Sequence, residues 1–482
     1  MSNLKEKTAQ GIFWSAINNG VIQLLNIFIG IFLARILSPA DYGIVGVLTI
    51  FTLLAGNIQS SGFTQALINL AKPSRNDYNS VFWFNVLASV VIYFILFACA
   101  PLIASFFHQP CLTSLSRFVF LSFVVAAFGI VPNGYMVKNM MNREIAIVNF
   151  VAMIVSGAVG ITLAIKQMAY WSLAWQQLTY ITVLNLGRYH YVGWRPSLKI
   201  DFTPVRRMFP FSVKILITTI ITTISTNVLT FIFGRIFPMK DVGNYTQANK
   251  WSSMASTFVS GTLAQIAQTV LVESSSERER EKRVFRKITR FTAFLAFPAL
   301  FGLALISNEF ILSTITQKWI DAVPLMQILC IGAAFLPFHT LFQNLAISNH
   351  RSDIFMWCSL LQIATQIITI AVLHEHGIVT MVFAYAIINI VWTIVWHLAA
   401  SHLISLSIKE LLADTVPFLL AASASMAITY FATLAITNLI VLLIVRILLA
   451  TAIYCLIMNF FRVNIFRESV QFFAGKFKKK GN

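Results

Sequence analysis

Runs of about 20 mostly apolar residues recur along this chain from one end to the other, and this spacing constrains the fold more than any other feature. Twenty residues of α-helix rise about 30 Å, the thickness of a bilayer's hydrocarbon core. A segment in lipid must satisfy its backbone hydrogen bonds internally, so the runs are helices. Only 11% of the 482 residues are charged, against about 25% in a soluble domain, and mean hydropathy is +0.78. No polar stretch is long enough for a separate soluble domain. The expected fold is an all-α integral membrane protein with about 14 transmembrane helices. They fall near 11–36, 42–70, 79–107, 114–141, 145–166, 168–189, 209–236, 242–272, 285–313, 321–348, 353–373, 378–403, 411–433 and 437–460.

A net charge of +18 raises the question of nucleic acid. That class is excluded because the basic residues sit in short loops between apolar runs, where topology signals belong. Most of the 35 Lys and Arg lie in alternate loops on one side; Arg35, Arg117, Lys166, Arg235, Lys240 and Lys318 lie on the other. The asymmetry places both termini in the cytoplasm and supports an even number of spans. The first apolar stretch carries Asn18 and Asn19 and no small-residue cleavage pattern follows, so it reads as a first helix rather than a signal peptide. The five cysteines have no metal-ligand spacing and read as buried thiols. The mixed-charge segment Ser274 to Arg290 reads as a solvated helical extension.

A repeat is visible at an offset of 200. Arg35-Ile36 and Asp41-x-Gly43 recur as Arg235-Ile236 and Asp241-x-Gly243. Ser15, Asn19, Gln23, Asn26 and Gly30 form a stripe in the first span, and Thr219, Thr223, Thr226, Thr230 and Gly234 form one in the seventh. Steps of three and four place each set on one helix face. Thr49, Thr52, Gly56 and Ser60 of the second span likewise answer Asn249, Ser252, Ser256 and Ser260 of the eighth. Pro132 and Pro337 interrupt the fourth and tenth spans and imply kinks or hinges. Six intervening spans make the halves parallel repeats, the arrangement of two bundles rocking about a central cleft. The expected domains are a six-helix bundle over 1–200, a second over 201–405, two further helices over 406–460 and a basic cytoplasmic tail over 461–482. Ordinary helix packing also uses Ser, Thr and Gly, so the stripes together, rather than any one residue, point to a cleft.

Lys250 is the sharpest single position. Nine residues past Asp241, it sits about 13 Å into its helix, where a Lys costs at least about 2.5–3.5 kcal/mol. Acids are expected only in loops and near helix ends, so an anionic ligand, water in a cavity or the carbonyl end of a broken helix could stabilise Lys250; an anion, a phosphate or acidic sugar, is favoured over a solvated structural role. Asn249, Asn19, Gln23, Asn26, Asn57 and Gln59 supply amides, and Trp14 a ring, for sugar hydroxyls and the apolar sugar face; interhelical hydrogen bonding competes as their role. Arg35 and Arg235 end the first and seventh spans. They are expected to pair with Asp41 and Asp241 or to gate the outer mouth together with them. Arg446, deep in the last span, is open to a packing or lipid-headgroup role. His374 and His376 flank Glu375 in a loop that reads as solvated. No Walker-type phosphate loop or zinc motif is present. Neither an enzyme nor a cofactor is expected, and energy would come from an ion gradient, the membrane potential or substrate consumption.

The segments LKEKTAQGIFWSAI (4–17), ARILSPADYGIVGV (34–47), PNGYMVKNMMNRE (132–144), VGNYTQANKWS (242–252) and NEFILSTITQKWIDAVPLMQILC (308–330), in this order and spacing, resemble the polysaccharide transporter branch of the MOP flippase superfamily. Wzx-type O-antigen flippases and colanic-acid or lipopolysaccharide exporters are the groups they look most like. The resemblance implies two pseudo-symmetric six-helix bundles plus two C-terminal helices in the bacterial inner membrane. It also implies transport of an undecaprenyl-diphosphate-linked oligosaccharide to the periplasmic leaflet, for O-antigen, capsule or exopolysaccharide. Membrane lipids, a polysaccharide polymerase and chain-length machinery are the implied partners. It further implies a cationic cavity, for which Lys250 is the matching residue; its repeat mate is Ile50. The alternative is a MATE-like exporter of organic cations, which needs an intramembrane carboxylate. A polymerase would need a large outer loop that this chain does not offer.

Overall fold

The computed structural model describes the backbone of residues 2–70, 72–198, 201–274, 277–349 and 351–468. Side chains within 2–13, 15–19, 55–61, 64–65 and 262–274, and at scattered positions of 211–226 and at 352, are outside the described set. The described chain is all helix: α1 (Ser2–Ile36), α2 (Pro39–Asn69), α3 (Arg75–Phe106), α4 (Leu112–Lys138), α5 (Asn142–Ile165), α6 (Trp171–Tyr191), α7 (Thr203–Ile236), α8 (Met239–Ser274), α9 (Arg278–Leu305), α10 (Ser307–Thr314), α11 (Ala322–Ala333), α12 (Leu336–Ser348), α13 (Ser352–Leu373), α14 (Gly377–Ile404), α15 (Ile408–Ala432) and α16 (Leu439–Phe460). Among the described residues, α3, α4, α5, α9, α15, α16 and the runs Ala322–Ser348 and Asp353–Ile404 are each long and apolar enough to cross a membrane. The surface is apolar, with Phe94, Leu102, Leu448 and Phe460 exposed, while Asn85, Gln366, Asn389 and His339 are buried. That inversion is what a lipid solvent demands. The protein is a multi-pass membrane protein.

Two expected spans are divided. The ninth ends at Leu305 and a separate short helix, α10, follows Ile306. The tenth breaks at Ala334 and Phe335, which puts Pro337 in the first turn of α12, where its missing N–H is tolerated. Pro132, by contrast, lies inside the continuous α4.

The contacts group Met1–Gly243 as one compact unit and Asn244–Asn482 as another. In the first, α2 packs along α7, α5 on α6, α3 on α4, and α1 on α5. Helix starts are fixed by side-chain caps. Ser38 and Asp41 form a capping box on α2, and Ser74 and Asp77 form one on α3. Asp77 also takes Arg207 at 3.1 Å. Lys138, at the end of α4, donates to the carbonyls of Ile68 (2.9 Å) and Leu70, which the end of α2 leaves unpaired.

The repeat meets itself inside this unit. A Cβ on Gly43 would lie 1.9 Å from the Met239 carbonyl oxygen, and one on Gly243 would lie 1.7 Å from that of Pro39. Residues 39 and 43 therefore face 239 and 243 reciprocally, as a local two-fold axis requires. The two helix starts approach backbone to backbone, which only glycine permits. Farther along, Gly62 abuts the backbone of Ser212 and Gly234 abuts Val47, so α2 and α7 stay close at both ends.

In the second unit α9 packs on α15, α11 and α13 on α14, and α16 on α15 and α10. The expected solvated face of Ser274 to Arg290 does not hold at its end. Asp414, 2% exposed, takes the Arg286 Nε at 2.6 Å and the Arg290 Nε, while Glu410 takes Lys282 at 2.9 Å and Arg286 at 3.1 Å. Charge-assisted pairs of this kind are the strong ones, and here they tie α15 to α9. Two outcomes follow. Gly43→Val or Gly243→Val drives backbone apart and lowers the thermal midpoint of the purified protein by several degrees. Asp414→Ala leaves Arg290 without its carboxylate and Arg286 with Glu410 alone, and destabilises by about 1.5–3 kcal/mol, readable as early thermal unfolding in detergent.

Candidate functional site

Lys250 lies on α8, half-buried, its Nζ 5.5 Å from the centroid of the Trp251 ring. Among the described residues no carboxylate pairs with it. A Lys over an indole face gains a modest cation–π attraction, which does not replace a counter-charge. Trp251 is held edge-on by Phe310 at 5.0 Å, so the ring beneath the ammonium is fixed.

The same helix carries two amides that sequence reasoning passed over. Asn244 and Gln247 are each 1% exposed, and among the described residues neither the amide nitrogen nor the amide oxygen of either has a partner, nor does the Trp251 indole N–H. Steps of three and four put 244, 247 and 251 on one face, with Lys250 beside 247. Each buried unsatisfied polar group costs about 1–3 kcal/mol, so the accumulation on one face marks a surface that suits a polar ligand. The signal was present in VGNYTQANKWS as polar residues at positions 244, 247 and 250, on the face that Gly243 shares. Asn249 is less available: its backbone and side-chain oxygens accept from Ser252 (3.2 Å) and Ser253 (3.3 Å).

In the other unit, Gln23 and Asn26 are half-buried on α1. Trp14 faces the Arg143 guanidinium at 5.9 Å. The side chains of Asn19, Asn57 and Gln59 lie outside the described residues. On α7, Thr223 donates to the Thr219 carbonyl at 2.8 Å and Asn227 to the Thr223 carbonyl at 3.0 Å. This local back-bonding is typical of Ser, Thr and Asn in membrane helices.

The Arg–Asp pairings expected after the first and seventh spans are replaced by other partners where the side chains are described. Asp41 is used by the Ser38 cap, at 2.9 Å from its N–H and 2.7 Å from its hydroxyl. Arg235 turns instead to the end of α3, bonded to His108 (2.9 Å to Nε2) and over the Phe106 ring. The physical reason is that a capping carboxylate at the third helical position points back along its own helix. Asp241 occupies the first turn of α8.

Acids do sit near helix ends, yet several are buried. Glu309 of α10, 3% exposed, pairs with Arg446 of α16 at 2.8 Å, and Arg446 also donates to Thr433 (3.2 Å) and the Leu305 carbonyl (3.4 Å) while covering Tyr430. Arg446 is therefore an internal clamp between α16, α15 and the end of α9.

A family model described as polysaccharide biosynthesis protein matches residues 32–324, more than half of the chain. The chain belongs to this family. The polysaccharide-transporter resemblance read from the motifs therefore holds. Among named relatives, the chain is 25% identical over 360 residues to the lipopolysaccharide biosynthesis protein WzxC of Escherichia coli (strain K12), covering 73% of this chain and 72% of that one. It is 25% identical over 335 residues to the succinoglycan biosynthesis transport protein ExoT of Rhizobium meliloti (strain 1021), covering 69% and 68%. The fold matches that of the lipid II flippase MurJ in its inward closed conformation with a TM-score of 0.77 and 13% identity, over 94% of this chain and 99% of the other.

The buried pair yields a sign-specific outcome. Glu309→Gln or Arg446→Met alone strands a buried charge and costs about 3–5 kcal/mol, while Glu309→Leu with Arg446→Met recovers most of that loss. Thermal midpoints of the three variants check it.

Proposed function

We propose that this family member is a flippase that carries a lipid-linked oligosaccharide, an undecaprenyl-diphosphate-linked repeat unit, across the bacterial inner membrane by alternating access. The glycan leaves the cytoplasmic leaflet and reaches the periplasmic one, for assembly into O-antigen, capsule or exopolysaccharide. Both termini are then cytoplasmic, as the Lys and Arg asymmetry favours.

The observation that carries the reading is the chemistry of α8: an ammonium with no carboxylate partner among the described residues beside buried unpaired amides and an indole N–H. A diphosphate or acidic sugar supplies the missing counter-charge, and sugar hydroxyls both donate and accept as amides do. The amides of α1 and α2, including Asn19, Asn57 and Gln59, belong to the same sugar-contacting set in this proposal. So does Trp14. Arg35, Arg235, Asp41 and Asp241 are proposed to border the outer mouth, and Pro132 and Pro337 to be the bending points. The two pseudo-symmetric bundles keep the boundaries 1–200 and 201–405 in this proposal, with 406–460 as the added helix pair. Coupling is to an ion gradient or the membrane potential, and a polymerase with its chain-length partner consumes the product.

The organic-cation alternative needs an available buried carboxylate. Among the described residues Asp77, Glu281, Glu309 and Asp414 are all engaged, with Arg207, Asn349, Arg446 and the Arg286–Arg290 pair respectively.

The test is replacement of Lys250 with Ala and with Arg in a strain whose surface polysaccharide depends on this gene, with membrane abundance measured in parallel. Ala is expected to cut export at least ~10-fold at normal abundance, the effect of losing about 1.4 kcal/mol or more of binding, and Arg to retain most of it. Unchanged export with Ala refutes the counter-charge role.

A further inference from the structure

Proline within a helix removes one N–H and leaves the carbonyl four residues earlier without its donor. In lipid such a carbonyl is costly unless a neighbouring helix, a side chain, water or a local adjustment of the helix satisfies it. Three prolines here have that carbonyl met by a side chain from elsewhere in the fold. Pro132 of α4 orphans Phe128, whose carbonyl accepts the Tyr189 hydroxyl of α6 at 2.9 Å. Pro298 of α9 orphans Phe294, whose carbonyl accepts the Tyr454 hydroxyl of α16 at 3.1 Å. Pro101 of α3 orphans Phe97, which accepts the Arg117 Nε of α4 at 3.5 Å while the guanidinium covers the Phe97 ring. Pro210 and Pro417 have no such donor among the described residues; both lie within about ten residues of their helices' N-termini.

The Pro132 site is the most heavily built. Arg188 donates to the Gly129 carbonyl at 3.3 Å and Asn185 to the Val125 carbonyl, so one face of α6 supplies three donors to five residues of α4. Gly129 is required for that approach, because a Cβ there would lie 1.8 Å from the Asn185 Oδ1. The Pro298 site joins α9 to α16, one of the two helices that follow the repeat, and so gives that helix a part in shaping the bundle.

We infer that Tyr189 and Tyr454 are positioning residues that set the bends of α4 and α9 through the backbone carbonyls orphaned by Pro132 and Pro298. The hydroxyl substitutes for the missing N–H, so its importance depends on the proline being present. A tyrosine that merely packs has no such dependence. The inference goes beyond the flippase reading, and its stability test does not depend on that reading.

The experiment is a double-mutant cycle on the full chain purified in detergent: Tyr189→Phe, Pro132→Ala and both, with Tyr454→Phe and Pro298→Ala as an independent second cycle and Arg117→Met with Pro101→Ala as a third. Tyr189→Phe is expected to lower the thermal midpoint by at least ~2 °C in the proline background and by nothing further in the Pro132→Ala background, where the substituted alanine donates its own N–H. An equal shift in both backgrounds, or none with proline present, overturns the proposal. Surface polysaccharide is read alongside. Tyr189→Phe at wild-type membrane abundance is expected to reduce export several-fold. Normal export despite a proline-dependent shift reduces the hydroxyl to a structural bond and overturns the positioning role. Failure of the flippase reading shows separately, as export that survives deletion of the whole gene, and leaves the thermal cycle interpretable.

Discussion

A backbone carbonyl in hydrocarbon has no water to turn to, and much of this molecule follows from finding donors for such carbonyls. Continuous helices solve the problem for most residues. The exceptions are places where proline breaks the ladder or a helix ends, and there the chain places its few polar side chains: Tyr189 at Phe128, Tyr454 at Phe294, Ser256 at Ala333, Lys138 at Ile68 and Arg446 at Leu305. Polar residues are scarce and costly in this solvent, so each being committed to a backbone group leaves few for other work. Other buried polar atoms, such as those of Trp194 and Gln366, are uncommitted one at a time, whereas those on α8 gather on one helix face. Among the described residues, Asn244, Gln247 and the Trp251 indole have no hydrogen-bond partner, and Lys250 beside them lies over an aromatic ring with no carboxylate paired to it.

The same constraint shapes the repeat. A match of four residues around positions 35–43 and 235–243 is slight as a sequence signal. The glycines within it have a physical reason to persist: Gly43 and Gly243 let two helix starts touch backbone to backbone, each against the carbonyl of the other's Pro39 or Met239. The aspartates two residues earlier belong to the turns that start those helices, and Asp41 closes a capping box. The motif is thus explained by helix initiation and close approach, and Arg235 takes a ring and a histidine as partners rather than Asp241.

Much of the fold was legible in the sequence because the bilayer sets one length scale. Apolar runs near 20 residues gave the helices, their faces gave the polar stripes, and ordered motifs from Leu4 to Cys330 gave the family. Interruptions within a run were less legible. Pro337 marked a bend in the tenth span but not a full break at Ala334 and Phe335, and the start of α10 after Ile306 falls in a run that reads as one span. Long-range pairs were not legible either. Glu309 and Arg446 are far apart in sequence and meet only through the packing of α10 on α16. Asp414, which reads as an ordinary residue of a helix start, binds two arginines of a segment that looks solvated. At the candidate site Lys250 was visible because a deep cation is costly, whereas Gln247 and Asn244 were masked by the commonness of amides at helix contacts.

The central claim is that the chain moves a lipid-linked glycan between leaflets, and the most direct test is where that glycan resides. Spheroplasts of a strain that makes the lipid-linked intermediate but lacks its polymerase would be probed with a membrane-impermeant glycosidase, with and without this gene. The account predicts that the glycan is cleaved when the protein is present and protected, though still synthesised, when it is absent. Equal cleavage in the two strains, with no second exporter encoded, would contradict it.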